Sequence, residues 1–277
     1  MAPSTASDIT APARMQRVRG EGRVGTQLLD GRARLASLYQ EGAAKIRLPH
    51  THDPSLQAVL INTAGGLTDG DRLRWTAEAA AGTRLVLTTP ACERIYRSLG
   101  APAQVETHLT ARAGARLDWL PQETILFEEA RLARRLVIDL APDATLLAVE
   151  AVILGRAAMG ETARTARLVD DWRVRRDGRL IHAEATRLTA DPMEREALSL
   201  LAGNSAFATI LYIGADAERR LEAVRALPDQ PGLGSSAIGE RLVVRALAPS
   251  GLALRRAIVP IIALLSGDGS LPRLWNI

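Results

Sequence analysis

The stretch RRLVIDLAPDATLLAVEAVIL, residues 134–154, contains two apolar runs of strand length separated by APDA. Proline and aspartate are favoured in tight turns, so the pattern predicts strand, turn, strand. Residues 170–188 repeat it, because Asp177-Gly178 stands between two alternating runs, a strong hairpin signal. A further turn is predicted at Ala113-Gly114. Similar short runs extend from residue 14 to about residue 190, and they predict a mainly β fold.

Helical patterns appear only in the last third of the chain. Asp191 and Pro192 are typical of a helix start and predict a helix that ends at Gly203. A second, amphipathic helix is predicted over residues 216–227. A third is predicted over residues 252–267, with Pro260 as its kink or its start. Strands separate these helices, but regular helix–strand alternation is absent, which argues against a doubly wound parallel sheet.

Composition limits the classes of function. The 277 residues are 47% hydrophobic and 24% charged, as in a globular protein, and we expect one domain over residues 1–277 with a frayed terminus at 1–13. The formal net charge of +4 is too small to indicate nucleic-acid binding. Lys45 is the only lysine, so the basic side chains are arginines, which suit protein interfaces.

The sequence also favours a reducing compartment. A single cysteine, Cys92, excludes an internal disulfide. Residues 1–15 lack the apolar core of a secretory signal, and no apolar run is long enough to span a bilayer. We therefore expect a cytoplasmic protein without a membrane partner.

The loop NTAGGLTDGDRLRW, residues 62–75, carries three glycines and two aspartates. It lacks the lysine of a phosphate loop, the spacing of a dinucleotide fingerprint and the closing glutamate of a calcium loop. The remaining interpretation is a bend built by backbone need. We predict that at least one of Gly65, Gly66 and Gly70 has a positive φ or a position where a Cβ would clash.

The sequence contains no clear set of catalytic or metal-binding residues. His50 and His52 would share a face of an extended strand, but no further metal-binding motif accompanies them. Cys92 has no obvious general base beside it. A carboxylate-based hydrolase that uses Glu123 with Asp71 stays open as an alternative. Acidic residues recur in otherwise apolar strands and could line a hydrated path: they are Asp71, Glu123, Asp139, Glu150, Glu161 and Glu184.

An ordered set of segments resembles the UreD (also UreH) family of urease accessory proteins. The segments are GAAKIRLP, INTAGGLTDGDRL, LTTPACERIYRS, LDWLPQETILFEEA, LGRAAMGE and the ending LPRLWNI. The resemblance implies two stacked β-layers with β-helical character, plus a few α-helices in the C-terminal third. It also implies a scaffold of urease maturation and no enzyme. In this family the protein joins UreF and the GTPase UreG on apo-urease and assists nickel insertion, with a water-filled tunnel as the route.

The resemblance carries four acids over as candidate tunnel or support residues: Asp71, Glu123, Glu161 and, on a weaker local match, Glu184. Carboxylates bind nickel more weakly than nitrogen or sulfur donors do, which suits a path through which the ion must keep moving. We therefore expect transient nickel, no stable metal site and no tightly bound cofactor.

The same acids have a structural interpretation. Asp71 could accept N–H bonds from the glycine loop, and Glu123 could pair with an arginine such as Arg156. Candidates for the partner interface are Arg94, Arg97 and Trp275. Without its partners, the chain is expected to expose apolar surface at residues 257–266 and 271–277.

Overall fold

The computed structural model describes residues 17–50, 52–228, 230–267 and 271–275. The frayed terminus expected at residues 1–13 lies outside these ranges. The strands are β1 (Arg19–Leu29), β2 (Arg32–Gly42), β3 (Ala44–Arg47), β4 (Leu56–Asn62), β5 (Arg72–Ala79), β6 (Arg84–Thr88), β7 (Glu93–Ile95), β8 (Ala103–Ala111), β9 (Arg116–Leu120), β10 (Thr124–Leu126), β11 (Arg131–Leu140), β12 (Thr145–Leu154), β13 (Arg167–Arg176), β14 (Arg179–Leu188), β15 (Ala206–Ile213), β16 (Leu233–Ile238) and β17 (Arg241–Ala248). The helices are α1 (Met193–Glu196), α2 (Ala217–Arg225) and α3 (Gly251–Ser266), with short 3-10 turns at Ala157–Met159 and Arg273–Trp275.

The strands form two stacked sheets. The first has the order β14-β13-β11-β8-β5-β1-β2, and the second has the order β16-β17-β15-β12-β9-β6-β4-β3, with β10 and β7 added beside β12. From β5 to β13 the chain winds as a solenoid, because β5, β8, β11 and β13 pair in parallel in one sheet while β6, β9 and β12 do so in the other. The expected stacked β-layers with β-helical character are confirmed.

The predicted turns connect the two sheets or close a hairpin. Gly114, with φ 63°, lies between β8 and β9, which belong to different sheets. The APDA turn likewise takes the chain from β11 to β12. Asp177 and Gly178, with φ of 49° and 74°, close the antiparallel β13–β14 hairpin. All three turns are confirmed.

Strand alternation decides which side chains meet between the sheets. On β11, Leu132, Leu136 and Ile138 are buried, whereas Asp139 on the other face is exposed. One apolar core fills the space between the two sheets, and a second lies between the second sheet and helices α2 and α3.

The helix predicted from Asp191 to Gly203 is wrong in length. The structure has a single turn at α1, because the backbone becomes extended at Ala197 (φ −60°, ψ 129°). Only Leu201 of the following leucines is buried, while Leu198 is 90% exposed, so the segment has no continuous helical face to bury. Helices α2 and α3 are confirmed, and Pro260 lies inside α3, not at its start.

The apolar surface expected near the C-terminus is only partly present over the described residues: Leu271 and Leu274 are half-buried and line an open cleft of about 940 Å³, whereas most apolar side chains of α3 are enclosed. In α3, residues such as Ile258, Ile262 and Leu265 are fully buried against the second sheet. Trp275 is 1% exposed and donates its Nε1–H to the carbonyl of Leu120 at 3.0 Å. No described helix is both long and apolar enough to cross a bilayer.

Candidate functional site

The glycine loop is built by backbone need, as predicted. Gly65, Gly66 and Gly70 have φ of 76°, 148° and 73°. A Cβ on Gly66 would lie 2.3 Å from the ring of Tyr96, so the aromatic ring also requires a bare Cα there. Asp71 is 1% exposed and accepts the N–H of Val18 at 2.7 Å and of Thr68 at 2.8 Å. The structural interpretation of Asp71 is confirmed.

A buried ionic cluster lies between the two sheets. Arg134 on β11 donates its Nε and Nη2 hydrogens to Asp170 at 3.1 and 2.6 Å. Its Nη1 group donates to Glu150 and, at 3.1 Å, to the hydroxyl of Thr124. Glu150 also accepts from the indole Nε1 of Trp119 at 2.9 Å. One guanidinium thus serves two carboxylates, and the cluster carries a net negative charge when both are ionised.

Burial and charge oppose each other in this cluster. Burial favours the neutral form of Arg134, but Asp170 and Glu150 outweigh it, and the pKa of the guanidinium is raised. Burial raises the pKa of Glu150 even though Arg134 and Trp119 bond to it. The second carboxylate, Asp170, raises it further. A dication close to this cluster would relieve the repulsion between the two acids.

A small cavity adjoins the cluster. It has a volume of about 60 Å³ and is lined by Glu93, Thr107, Arg134 and Glu150 among others, so it has room for ordered water. Glu93 accepts from the side-chain amide of Asn62 at 3.1 Å, and burial raises its pKa to about 7. We call Glu93, Arg134, Glu150 and Asp170 the interior seam.

Glu184 lies further along the space between the sheets. It is 8% exposed and forms a two-bond ion pair with Arg245 at 2.5 and 2.7 Å. Both residues line an open cleft of about 920 Å³ between β14 and the β15–β17 pair. The Nε2 of His182, 3.8 Å from the Glu184 carboxylate, is buried without a hydrogen-bond partner, and burial lowers the pKa of this imidazole.

Glu123 pairs with Arg255 of α3, so the predicted pairing with Arg156 is wrong. Arg255 Nη1 lies 3.0 and 3.1 Å from the two Glu123 oxygens, and its guanidinium stacks on Trp275 at 4.9 Å. The Cys92 thiol lies 3.4 Å from the same carboxylate. Burial and Glu123 raise the pKa of this thiol to about 12, so Cys92 is a poor nucleophile at neutral pH.

Glu161 lies in the loop between β12 and β13. Its carboxylate accepts from Arg156 and, at 2.7 Å, from the backbone N–H of Glu128. Arg156 also covers the ring of Phe127 at 4.4 Å. This ion pair closes a surface loop.

The structure does not bring the four predicted acids together. Asp71, Glu123, Glu161 and Glu184 each have their own partners, and within the described ranges no two of them share one. Asp71 and Glu123 therefore form no catalytic pair, and the hydrolase alternative has no geometric support. Over the same ranges no group of three or more His, Cys, Asp and Glu side chains could hold a metal ion.

A second buried ionic cluster was not anticipated from the sequence. Asp118, fully buried, accepts from Arg84 and Arg116 at 2.9 Å each. Arg84 also donates to the carbonyl of Ser266, and Arg116 donates to that of Leu265. The two arginines therefore neutralise Asp118 and bind the negative end of α3. We call Arg84, Arg116 and Asp118, with the last carbonyls of α3, the helix clamp.

Comparison with known proteins gives the family. A family model described as UreD urease accessory protein matches residues 18–276. The chain belongs to the UreD family. A urease accessory protein UreD from Chelativorans sp. (strain BNC1) is 61% identical over 274 residues, 99% of each chain. That from Rhizobium etli is 52% identical over 270 residues, 97% of this chain and 99% of the relative. Urease accessory protein UreD 1 of Brucella melitensis is 49% identical over 267 residues, 95% of each.

The interface candidates of this UreD-family chain divide into two groups. Arg94 and Arg97 are exposed on β7 and just after it, and Arg97 pairs with Glu129 at 2.9 Å. They stay candidates for partner contact. Trp275 does not, because its indole is enclosed by the chain's own core and its N–H is bonded there.

Sequence reasoning missed Arg134 and Asp170 although strand parity could have found them. Arg134 shares its strand face with Leu132 and Leu136, and Asp170 shares its face with Leu168 and Trp172. A charged residue at an inward position requires an opposite charge across the core. Looking for such pairs among alternating strands would have selected the interior seam.

Proposed function

We propose that this UreD-family chain acts in urease maturation as a scaffold without catalytic activity of its own. It forms a complex with UreF and the GTPase UreG on apo-urease, and it gives nickel a path toward the urease active site. The observation that carries this proposal is the charge balance of the interior seam, where two carboxylates share one arginine between the sheets.

The chemistry of the seam suits a passing cation. Carboxylate oxygens are weak ligands for nickel, so an ion attracted by the net negative charge would not be trapped. Glu93 adds a titratable group beside the cavity, with a pKa of about 7 that lets it exchange a proton for a cation near neutral pH.

The predicted acids have different places in this proposal. Glu184 lies between the sheets and lines the open cleft, so we place it at one end of the path. Glu123 lies beside α3 and the thiol of Cys92, where it could receive or release the ion. Asp71 and Glu161 bind backbone N–H groups, and we assign them to the support of neighbouring loops.

The test is nickel loading of urease by a double variant, Glu123→Gln with Glu184→Gln. Both substitutions keep shape and remove charge. We expect less nickel per urease site with UreF capture unchanged, and a moderately lower thermal midpoint, because Arg255 and Arg245 each keep a hydrogen-bond acceptor but lose the opposite charge. The matched control is Glu106→Gln, which breaks an exposed pair with Arg74 on the outer face.

Unchanged nickel loading by a stable double variant would contradict the path. A parallel loss of stability, UreF capture and loading would assign both carboxylates to the fold. Absence of any complex with UreF and UreG in the wild type would contradict the scaffold itself.

A further inference from the structure

The end strand of the first sheet is unusually open. Among the strands of the described residues, β2 has no neighbour on its outer side, and residues 34–39 form six consecutive exposed positions. One third of the exposed large apolar side chains of the described residues lie on the β1–β2 hairpin: Leu28, Leu29, Leu35, Leu38 and Tyr39. An open, apolar edge of this length is a template for another strand.

The backbone groups available at this edge can be identified. The N–H of Ala33 turns away from β1 and bonds to the carbonyl of Pro54 at 2.8 Å. Leu35 and Leu38 share a strand face with Ala33, because their partners on β1 are Thr26 and Val24. Residues on one face of an antiparallel strand direct their N–H and C=O groups to the same edge. Those of Leu35 and Leu38 therefore point outward.

A β-bulge in β2 allows its open edge to pair with the same edge of a second copy of the chain. The register shifts opposite Gly25 and Thr26, so Ala36 is the extra residue on β2. Without a bulge, Leu35 and Leu38 would face opposite sides, because they are separated by an odd number of positions. With it, they share a face, and a two-fold axis between Ala36 and Ser37 brings each opposite the other.

We propose that β2 pairs antiparallel with β2 of a second copy about this axis, so that two seven-stranded sheets become continuous. Leu35 then lies opposite Leu38 of the second copy, and Arg34 lies opposite its Tyr39, within reach of a cation–π contact. The pairing ends before Ala33, because the N–H of Ala33 is bonded to the carbonyl of Pro54. Ala36 and Ser37, both small, meet at the axis.

The register is selective. A shift by one residue would place Leu35 opposite Tyr39, whose partner Arg23 on β1 belongs to the other face. In the proposed register, Leu35 and Leu38 meet on one face, while Arg34 meets Tyr39 on the other. Since each contact occurs twice across the axis, a substitution at one position changes two contacts.

The test measures the mass of the full chain by sedimentation over a roughly hundredfold range of concentration. We expect a monomer–dimer equilibrium for the wild type. Leu35→Lys and Leu38→Glu should each weaken the dimer at least about tenfold. The double variant should recover to within about threefold of the wild type, because lysine then faces glutamate across the axis.

Matched controls place the same changes at other strand edges. Leu180→Lys on β14 and Ile238→Glu on β16 replace side chains that are 51% and 70% exposed, and they should leave the dimer unchanged. Hydrogen exchange on the wild type gives a readout without variants. The amides of residues 34–41 should gain protection as concentration rises.

Several results would overturn the proposal. These are a wild type that stays monomeric throughout, single variants that dimerise like the wild type, or a folded double variant that does not recover. Protection that rises elsewhere would assign the dimer to another surface. Protection of residues 34–41 that appears only when UreF or urease subunits are added would assign the edge to a different partner. Should the single variants fail to fold, the exchange measurement decides alone.

Discussion

The interior seam and the helix clamp are built from the same types of side chain, arginines and carboxylates, in opposite proportions. In the seam, one arginine serves two acids, Glu150 and Asp170. In the clamp, two arginines serve one acid, Asp118, and the Nη2 group of each also donates to a carbonyl at the end of α3. The clamp has an excess of positive charge, and this charge lies against the negative end of the α3 helix dipole, which stabilises it. When its acids are ionised, the seam holds an excess of negative charge inside the protein, which a proton or a cation can neutralise.

The largest expected effect tests the seam. Arg134→Met removes the only cation of this cluster and leaves two buried carboxylates unpaired. We expect a loss of about 3–5 kcal/mol in the free energy of unfolding, or no folded protein at neutral pH. Denaturant unfolding measures it. Arg135→Met, on the exposed face of the same strand, should stay within about 0.5 kcal/mol of the wild type.

A substitution in the helix clamp should lower the free energy of unfolding less than one in the interior seam. Asp118→Asn removes a buried charge, but Arg84 and Arg116 keep their bonds to the helix carbonyls. We expect a loss of about 2 kcal/mol, in the range of hydrogen bonds to charged groups. Asp139→Asn, on the exposed face of β11, is the control. A loss as large as that of Arg134→Met would contradict the view that α3 shares the charge of the clamp.

The seam should also make stability depend on pH. Burial raises the pKa of Glu93 from 4.5 to about 7, so the folded chain holds a proton that the unfolded chain has released. The stability contribution of this group is complete below about pH 4.5 and is lost as pH rises through about 7. Glu93→Gln should reduce the decrease in unfolding free energy between about pH 5 and about pH 8 by on the order of 2 kcal/mol. An unchanged pH profile would show that Glu93 is already ionised in the folded chain.

The smallest effect is expected at the surface. The pair between Arg156 and Glu161 closes a loop that water reaches, since Arg156 is 44% exposed. Arg156→Ala should lower the free energy of unfolding by less than about 1 kcal/mol. A larger loss would identify the stacking of Arg156 on Phe127, and not the ion pair, as the main contribution.

Structure that depends on residues close together in the sequence could be predicted from it, whereas structure that depends on contacts between distant residues could not. The turns at Ala113-Gly114 and Asp177-Gly178 are local and were predicted correctly. The prediction that at least one glycine of the loop has a positive φ was also correct, because glycine has no Cβ and adopts such a conformation without steric cost. The solenoid came from family resemblance, since the alternation of a strand does not specify the sheet to which it belongs.

The wrong predictions share a cause. The segment after Asp191 starts like a helix, but its leucines have no partner surface, so tertiary packing ended it after one turn. The pairing of Glu123 with Arg255 joins residues 132 positions apart, and Arg156 was simply nearer in sequence. Trp275 reads as a surface residue near the chain end, yet the second core encloses it.

The parallel coils have a consequence for how the chain acquires its structure. Each step of the first sheet joins residues about thirty positions apart, as when Arg72 pairs with Gln104 and Ala103 with Leu132. No strand of the solenoid can pair until the chain has passed through the opposite sheet and returned. At every coil, the chain must therefore lose the entropy of loop closure before the two strands can form hydrogen bonds. This makes folding slow, and strand edges stay unpaired while it proceeds. During synthesis, the part of the solenoid that has left the ribosome would end in an unpaired strand edge. A protein that covers this edge would therefore stabilise the chain most before its last strands have been synthesised.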